Sequence, residues 1–359
     1  MDELKKKIQN FDQKTLLKCL KARGWEQTEL FRLSRQVKEK VFGQRIWYRG
    51  IIEFSNLCRN NCFYCGLRIG NKKVYRYKMS LPEIAAAMDF IRRANYGSVV
   101  FQSGEIRGQR WEKYLLAIVR LTKKKYPGLA ITVSCGEQDR GFYKRLRQAG
   151  ADRYLLRIET SSQKLYEKLH PKLMSWSRRY QCLKWLKELG YQVGTGVMVG
   201  LPGQTPADLI GDLRFFKDSQ FHMFGLGPYV IHKDTPLAAV NARKQWREDK
   251  AKIYHLTLNF LALLRIIRPT ANIAAATALD VFNPSGRIMA LQVAANVIMP
   301  SVTPRKYREH YVLYQNKPCL DEEAKQCLGC LTAKIKSAGL ESGLGEAGTS
   351  PLYLKMARK

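Results

Sequence analysis

The stretch Ser55-Asn-Leu-Cys-Arg-Asn-Asn-Cys-Phe-Tyr-Cys-Gly66 places Cys58, Cys62 and Cys65 on one short loop in a C-x3-C-x2-C arrangement. The loop directly follows the apolar, strand-like run Ile51-Ile-Glu-Phe54. Iron–sulfur cubanes and structural zinc sites usually have four protein ligands, so three cysteines leave one metal ion with an open coordination position. A zinc knuckle and ordinary thiols are the alternatives, but no second Cys/His pair at zinc spacing lies near these residues. The motif therefore favours a metal centre at which a small molecule reacts.

The length and composition indicate a globular protein of a reducing compartment. A chain of 359 residues suits one (β/α) barrel with an extension at each end, and 45% hydrophobic residues suffice for a large core. No apolar run reaches the roughly eighteen residues that a membrane helix needs, and the opening Met-Asp-Glu-Leu-Lys lacks the apolar segment of a signal peptide. Nine cysteines, an odd number, argue against a disulfide framework. We therefore expect a cytoplasmic protein with no membrane partner.

The formal net charge of +32, from 62 Lys and Arg against 30 Asp and Glu, makes nucleic-acid binding an alternative to consider. The basic residues are spread along the chain in short runs such as Lys5-Lys-Lys7, Lys123-Lys-Lys125 and Arg305-Lys306. No recognisable RNA-binding module accompanies them, and such runs are typical of the solvated outer helices of a barrel. The charge therefore favours attraction to an anionic small molecule or an acidic protein over nucleic acid.

The chain alternates between short β-branched runs and segments with helical periodicity. The strand-like runs cover residues 50–54, 98–102, 130–134, 153–158, 192–199, 223–227, 272–277 and 293–299. The helical segments cover residues 82–94, 111–124, 143–148, 177–189, 206–219, 250–267 and 287–292. Eight strands alternating with helices predict an α/β fold, a (β/α)8 TIM-type barrel over residues 46–310.

Extensions flank the predicted barrel on both sides. Residues 1–45 are predicted to form an N-terminal helical extension, and residues 311–359 form a C-terminal extension. Within the second extension, the composition of residues 339–350 is rich in Gly, Ser and Glu. This composition predicts a mobile segment.

Polar residues follow several of the predicted strands, and the carboxyl ends of barrel strands meet at one mouth. The second strand ends in Gln102-Ser-Gly-Glu105, whose glycine lets the backbone approach a ligand. Thr132 and Ser134 share a face of the third strand, and Arg157 and Glu159 share a face of the fourth. A guanidinium and a carboxylate inside a barrel mouth favour a zwitterionic or anionic ligand. A structural salt bridge to the surrounding helices is the alternative.

A second group of cysteines lies near the end of the chain. Cys319, Cys327 and Cys330 have the spacing C-x7-C-x2-C and bracket the acidic run Asp321-Glu-Glu323. Three cysteines around carboxylates predict a further metal site, with chance clustering in a cysteine-rich chain as the alternative.

The first cysteine motif resembles the signature of the radical SAM superfamily, including the aromatic Tyr64 before the third cysteine. The order of motifs from about residue 45 to residue 335 resembles the HydE family of [FeFe]-hydrogenase maturases, with biotin synthase and methylornithine synthase as near relatives. The segments that carry this resemblance are Ile52-Glu-Phe-Ser-Asn-Leu-Cys58, Cys65-Gly-Leu-Arg68, Gln102-Ser-Gly-Glu105, Ala149-Gly-Ala-Asp-Arg-Tyr-Leu-Leu-Arg157, Met198-Val-Gly-Leu-Pro-Gly-Gln-Thr205 and Ala295-Asn-Val-Ile-Met-Pro300.

The resemblance implies a cofactor set and a site. Cys58, Cys62 and Cys65 would hold a [4Fe-4S] cluster whose open iron binds S-adenosyl-L-methionine (SAM), and one electron would release a 5'-deoxyadenosyl radical. The SAM-contacting residues would be Tyr64, Gln102, Ser103, Glu159, Arg178 and Met198. The substrate cavity would be lined by Ser103, Thr132, Ser134, Arg157, Thr277, Tyr311 and Tyr314. The C-terminal cysteines would hold an auxiliary [2Fe-2S] or [4Fe-4S] cluster, which only some members of the family carry.

The same resemblance implies a substrate and partners. The substrate would be an anionic iron–cysteine complex with CO and cyanide ligands, supplied by the maturase HydG, with a HydF-type maturase and an electron donor such as flavodoxin or ferredoxin as further partners. Two positions depart from the family pattern, since Ile158 replaces an expected histidine and Ala276 replaces a common threonine before Thr277. A mutase acting on an amino acid, as in methylornithine synthase, and an RNA-modifying radical SAM enzyme remain as alternatives.

Overall fold

The strands of the protein are all parallel and form one continuous sheet, as a computed structural model describes it for residues 2–239 and 250–357. The strands are β1 (Arg45–Tyr48), β2 (Gly50–Ser55), β3 (Ser98–Ser103), β4 (Ala130–Ser134), β5 (Arg153–Leu155), β6 (Gln192–Thr195), β7 (Met198–Val199), β8 (Met223–Pro228), β9 (Asn272–Ala275), β10 (Val297–Ile298) and β11 (Glu341–Gly343). Their order in the sheet is β11-β1-β10-β9-β8-β6-β5-β4-β3-β2, and β7 pairs with β8.

The sheet closes into a barrel because β1 and β2 are two halves of one strand, interrupted at Arg49. In β1, Trp47 pairs with Val297 of β10, whereas β2 pairs with β3. Beyond the interruption, the backbone N–H of Ile51 donates to the carbonyl of Pro300 (2.9 Å), which continues the pairing with the β10 segment. The closed ring therefore contains β1/β2, β3, β4, β5, β6, β8, β9 and β10, which confirms the predicted (β/α)8 TIM-type fold.

Helices surround this barrel on the outside. They are α1 (Asp2–Gln9), α2 (Gln13–Lys21), α3 (Gly24–Phe42), α4 (Leu81–Arg93), α5 (Gln109–Lys125), α6 (Arg140–Gln148), α7 (Gln163–Leu169), α8 (Trp176–Glu188), α9 (Pro206–Ser219), α10 (Pro236–Ala239), α11 (Lys250–Ile267), α12 (Gly286–Val293), α13 (Arg305–Arg308), α14 (Ala324–Ser337) and α15 (Pro351–Ala357), with a 3-10 helix at Thr277–Val281. Capping boxes at Ser80/Glu83 and Thr205/Asp208 fix the starts of α4 and α9. Helices α2 and α3 pack against α11. Within the described residues, none of the helices has the length and apolar character needed to cross a membrane.

Residues 339–350 were predicted to be mobile, but this segment folds against the amino-terminal end of the barrel. The strand β11 pairs with β1, and the buried guanidinium of Arg153 donates to the carbonyl of Ala347 (2.6 Å). The carbonyl of Gly348 accepts from Arg49 (3.2 Å) and from the amide of Asn272 (2.8 Å). These bonds satisfy buried donors that would otherwise have no partner, so they order a segment that is rich in glycine.

Candidate functional site

A cavity of about 380 Å³ opens at the carboxyl ends of the strands. Two cysteines of the first motif, Cys62 and Cys65, stand in its wall, and side chains from each of the predicted strand-end segments face the same space, although Thr132 itself does not. The predicted residues that line it are Tyr64, Gln102, Ser103, Ser134, Arg157, Glu159, Met198, Thr277, Tyr311 and Tyr314. The barrel therefore brings most of the predicted SAM and substrate residues together.

The three-cysteine loop follows β2 and is held in place by contacts with distant segments. The side-chain amide of Asn56 donates to the carbonyls of Tyr75 and His310, both at 2.7 Å. The backbone N–H of Phe63 donates to the carbonyl of Leu169 (2.9 Å). Such ties fix the loop's path before any metal binds, so little ordering remains to be done on binding.

The three cysteine sulfurs of the loop do not meet the spacing expected for the ligands of a single ion. Burial raises the pKa of each thiol, Cys58, Cys62 and Cys65. The three sulfurs are not gathered within 4.8 Å of one another, as the ligands of a single ion are. Each corner of an iron–sulfur cube takes its own thiolate, so wider spacing on one loop fits a [4Fe-4S] group with one free corner.

A glycine beside the loop supports the same fit. A Cβ atom on Gly104 would lie 2.2 Å from the carbonyl oxygen of Leu57 and 2.7 Å from Cβ of Cys58. Only glycine therefore permits the segment after β3 to approach the cysteine loop so closely. This is the glycine of the predicted Gln102-Ser-Gly-Glu105 turn, and the carbonyl of Glu105 accepts the N–H of Arg59 (2.8 Å).

Tyr64 is oriented by a buried histidine, His170, which was not among the predicted site residues. The Nδ1 atom of His170 lies 2.9 Å from the carbonyl of Tyr166, and its Nε2 atom lies 3.1 Å from the hydroxyl of Tyr64. Burial lowers the pKa of His170 to about 3, with the positive charge of Arg179 acting in the same direction. The neutral ring therefore donates through Nδ1 and accepts the Tyr64 hydroxyl proton through Nε2.

Glu159 has a strained backbone at the cavity wall. Its φ is +66°, a left-handed conformation that residues other than glycine rarely adopt. The backbone on both sides is clamped, since its N–H donates to Gly196 (3.0 Å) and its carbonyl accepts from Met198 (3.0 Å). Its carboxylate lies 2.9 Å from a guanidinium nitrogen of Arg157. The strain places a carboxylate in the cavity beside Arg157, as expected of a residue held for ligand binding.

The structure corrects the assignment of Arg178. Its guanidinium lies outside the cavity, where it donates to the exposed Asp139 (2.8 Å) and covers the ring of Trp185. The neighbouring Arg179 lines the cavity instead and is 7% exposed. Because α8 turns by about 100° per residue, only one of two adjacent arginines can face the barrel.

Arg179 belongs to a buried network of charges. Its Nε donates to Glu137 (2.7 Å), and its NH1 group donates to the carbonyl of Arg157 (2.7 Å). Glu137 also lies 3.3 Å from Arg107, and its N–H donates to the carboxylate of Glu105 (2.7 Å). Burial raises the pKa of Glu105. Glu137 follows β4 in the sequence. Arg157 was predicted to lie at the barrel mouth because it follows a strand, and Glu137 could have been predicted on the same ground.

Thr132 and Ile158 lie outside the cavity wall, whereas Ala276 lies in it. Thr132 is 2% exposed and borders a smaller pocket of about 20 Å³ below the cavity, so it does not stand in the main cavity wall. Ile158 is fully buried and does not line the cavity, so the absence of a histidine there leaves the cavity wall itself unchanged. Ala276 does line the cavity beside Thr277, whose hydroxyl lies 3.0 Å from that of Tyr314.

Glu53 and Lys317 are among the charged residues of the cavity that were not predicted. Lys317 lies 2.6 Å from Glu53 and also donates to the carbonyl of Tyr311 (2.9 Å). The second carboxylate oxygen of Glu53 is buried and has no hydrogen-bond partner among the described residues. Glu53 lies inside an apolar strand pattern and Lys317 lies in a loop, so neither position carried a local sequence signal.

Asp212 of α9 was also missed, because an aspartate on an amphipathic helix usually faces solvent. It is fully buried and accepts the N–H of Ser161 (2.6 Å), two residues after Glu159. Burial raises its pKa to about 7. The contact fixes the turn that follows the strained glutamate.

The C-terminal cysteines are only partly brought together. The ligand atoms of Cys319, Glu322 and Cys327 lie within 4.8 Å of one another, whereas Cys330 is exposed and does not belong to this group. Cys319 and Cys327 also line the cavity. The guanidinium of Arg287 lies 3.7 Å from the sulfur of Cys319. The predicted trio is therefore replaced by two cysteines and a glutamate.

The charged residues of the cavity wall are mostly cationic. Five cations face two carboxylates there: Arg157, Arg179, Arg287, Arg308 and Lys317 against Glu53 and Glu159. Two of these cations are paired with carboxylates just outside the wall, Arg179 with Glu137 (2.7 Å) and Arg287 with Asp280 (2.6 Å). The remaining positive charge in a partly enclosed cavity favours an anionic ligand.

Comparisons with known proteins identify the family of the chain. The sequence model of the Radical SAM superfamily matches residues 52–216. The chain is 42% identical over 336 residues to the [FeFe] hydrogenase maturase subunit HydE of Thermotoga maritima, covering 92% of this chain and 91% of that protein. It is 26% identical to 3-methylornithine synthase of Methanosarcina acetivorans, over 88% of this chain and 85% of that protein.

Solved structures show the same fold at lower sequence identity. The crystal structure of methylornithine synthase matches with a TM-score of 0.81 at 22% identity, over 95% of this chain and 97% of that one. The maturase HydG from Carboxydothermus hydrogenoformans matches with a TM-score of 0.77 at 20% identity, over 98% of this chain and 81% of that one. With the extended identity to the Thermotoga maritima protein, these findings place the chain in the HydE family of [FeFe]-hydrogenase maturases, which are radical SAM enzymes.

Proposed function

We propose that this protein cleaves SAM reductively in the barrel mouth and directs the resulting radical at an anionic iron–cysteine complex with CO and cyanide ligands. Cys58, Cys62 and Cys65 would hold a [4Fe-4S] cluster, which would supply the one electron that cleaves SAM at its sulfonium carbon–sulfur bond into methionine and the 5'-deoxyadenosyl radical. The observation that carries the proposal is the position of the cysteine loop directly over a cation-rich cavity in a HydE-family barrel.

We assign the part of the cavity wall that contains Arg179, Glu159 and Tyr64 to SAM. Arg179 and Glu159 carry opposite charges on the same wall and suit the carboxylate and the amino group of a methionine moiety. Tyr64, Gln102, Ser103 and Met198 complete this part of the wall. The Tyr64 ring cannot rotate freely because His170 holds its hydroxyl, so it keeps one orientation against the nucleoside.

We assign the adjoining part of the wall to the substrate, since Arg157 lies 2.9 Å from Glu159, and Ser103 is assigned to both parts. Ser103, Ser134, Thr277 and Tyr314 offer hydroxyl groups, and Arg157 offers a guanidinium whose Nε has no hydrogen-bond partner among the described residues. An unsatisfied buried donor is costly, so a ligand acceptor is expected there. Fixed hydroxyls and a guanidinium can hold an anionic complex while the enclosed cavity keeps water from the radical.

We further propose that Cys319 and Cys327 hold an auxiliary metal group and that HydG and HydF-type maturases exchange substrate and product with this protein. The gathering of Cys319, Glu322 and Cys327 at the cavity wall supports the metal. Membership of the HydE family supports the partners.

The test of the function is maturation itself. Anaerobically reconstituted protein should give an EPR signal that shifts when SAM is added and should release 5'-deoxyadenosine after reduction. It should also activate apo-hydrogenase in a mixture of the other maturases that lacks its HydE component. Release of 5'-deoxyadenosine without any activation, together with formation of a rearranged amino acid, would assign the chain to mutase chemistry.

Arg157 tests the substrate half of the proposal. Changing Arg157→Gln removes a charged hydrogen-bond donor of the kind that contributes about 1.5–3 kcal/mol, so hydrogenase activation should fall roughly ten- to one-hundred-fold. The release of 5'-deoxyadenosine in the absence of substrate should change much less. Arg157→Lys keeps the charge but not the forked geometry and serves as the graded control. Equal loss of SAM cleavage and activation would move Arg157 to the SAM site.

A further inference from the structure

An exposed apolar and basic surface lies outside the cysteine loop, and the site described above does not use it. Leu173 is 99% exposed and Ile69 is 47% exposed, which is unusual for large aliphatic side chains. Arg59, Lys72 and Lys172 are exposed in the same two loops. We call this surface the cluster face and define it by these five residues.

The cluster face lies directly against the cysteine loop. Leu173 precedes Met174, whose sulfur lies 3.8 Å from the sulfur of Cys62. On the other side, the N–H of Ile69 donates to the carbonyl of Asn60 (2.8 Å), two residues before Cys62. The two exposed aliphatic side chains therefore flank the segment that carries Cys62.

The charged residues in the two loops of this face are basic. The stretch from residue 56 to residue 78 contains no Asp or Glu, whereas it contains Arg59, Arg68, Lys72, Lys73, Arg76 and Lys78. The adjoining stretch from residue 170 to residue 178 also contains no acid. A neighbouring carboxylate, Asp234, is neutralised by Lys73 at 2.9 Å. Arg68 and Arg76 are held by internal hydrogen bonds, whereas Arg59, Lys72 and Lys172 are exposed and lie close in sequence to Ile69, Leu173 and the cysteine loop.

We propose that the cluster face is the docking site of an acidic one-electron carrier protein. This inference rests on the proposed function, because an electron must reach the group held by the cysteines for SAM to be cleaved. The carrier loses one electron, and the [4Fe-4S] group at Cys58, Cys62 and Cys65 gains it. Met174, which follows the exposed Leu173, contacts Cys62 through its sulfur (3.8 Å) and would connect this face to the group that Cys62 holds.

The physical character of the face suits a transient redox partner. Weak electron-transfer interfaces are small, and complementary charge on the rim raises the association rate more than the final affinity. A small apolar centre such as Leu173 with Ile69 supplies short-lived contact, and the surrounding lysines steer an acidic partner toward it. A substrate-carrying maturase would not need to bind beside Cys62, so the position favours an electron carrier.

The test uses oxidised flavodoxin as the acidic probe and measures its binding to the full-length, cluster-free protein by calorimetry at low and at moderate salt. The double variant K72E/K172E should weaken binding roughly ten-fold and reduce its salt dependence. The matched control K124E/K144E makes the same change in net charge on exposed positions of α5 and α6. It should alter binding less than about two-fold. The proposal is wrong if both double variants weaken flavodoxin binding equally, or if neither of them weakens it.

A second variant and a second readout separate docking from damage to the loop. Leu173→Glu places an acid at the fully exposed centre of the face and should weaken flavodoxin binding about five-fold without changing the melting temperature. Reduction of the reconstituted protein by dithionite and the subsequent release of 5'-deoxyadenosine should be unchanged in K72E/K172E and Leu173→Glu. If the Leu173→Glu variant binds flavodoxin as tightly as the unmodified protein does, the proposal is wrong. Failure of the unmodified protein to cleave SAM with dithionite would count against the proposed function instead.

Discussion

Replacement of any one of Cys58, Cys62 and Cys65 by alanine should abolish the release of 5'-deoxyadenosine, a loss of about three orders of magnitude or more. The three thiols lie on one loop, and a cube that already has one free iron would have two after the substitution. Two cysteines cannot hold the cube in a fixed position against SAM. The measurement is 5'-deoxyadenosine per protein after anaerobic reconstitution and reduction, together with bound iron and sulfide.

Two other cysteines provide controls for the same chemical change. Cys182→Ala removes a fully buried thiol on α8 and should keep SAM cleavage within about two-fold, with only a small loss of thermal stability. Cys327→Ala should remove auxiliary metal while SAM cleavage persists. If Cys62→Ala retained both the iron and the cleavage activity of the unmodified protein, the cysteine loop would not be the site of SAM cleavage.

The sequence predicted the barrel because alternation of strands and helices is a local property of the chain. It predicted only half of the first strand, because the apolar run begins at Gly50 and the polar Arg49 interrupts it before Arg45–Tyr48. It extended β5 to residue 158, whereas β5 ends at Leu155. The chain leaves the strand there to reach Glu159, whose left-handed backbone depends on tertiary contacts with Gly196 and Met198.

Contacts between distant residues limited the rest of the prediction. The segment 339–350 has the composition of a flexible tail, yet it is ordered by Arg153, which lies 194 residues before its partner Ala347. The buried pair of Glu53 and Lys317 spans 264 residues. No local pattern reports such pairings, because each partner alone resembles an ordinary polar residue in its own segment.

The choice between Arg178 and Arg179 could have been made from the sequence. The buried residues of α8 are Arg179, Cys182, Leu183 and Leu186, which recur at the spacing of one helix face. Arg179 is in phase with this apolar face and Arg178 is not. The family resemblance alone did not distinguish two adjacent arginines, whereas the helical period does.

Arg179→Gln is therefore expected to weaken SAM binding roughly ten- to one-hundred-fold, since a charged hydrogen bond to the carboxylate of SAM contributes about 1.5–3 kcal/mol. The variant should also lose thermal stability, because it leaves the buried Glu137 without its nearest counter-charge. Arg178→Gln, the matched control at the neighbouring position, should change SAM affinity less than about two-fold, since Arg178 pairs with an aspartate that is 70% exposed. Calorimetric titration of the reconstituted protein with SAM measures both.

The double variant Glu137→Gln with Arg179→Gln separates direct contact from support of the fold. It removes both buried charges, so it should recover most of the thermal stability that Arg179→Gln loses. If Arg179 contacts SAM, the double variant stays folded and still binds SAM weakly. If the double variant regained the affinity of the unmodified protein, Arg179 would act only as the counter-charge of Glu137, and the carboxylate of SAM would have to be bound by another cation of the cavity wall.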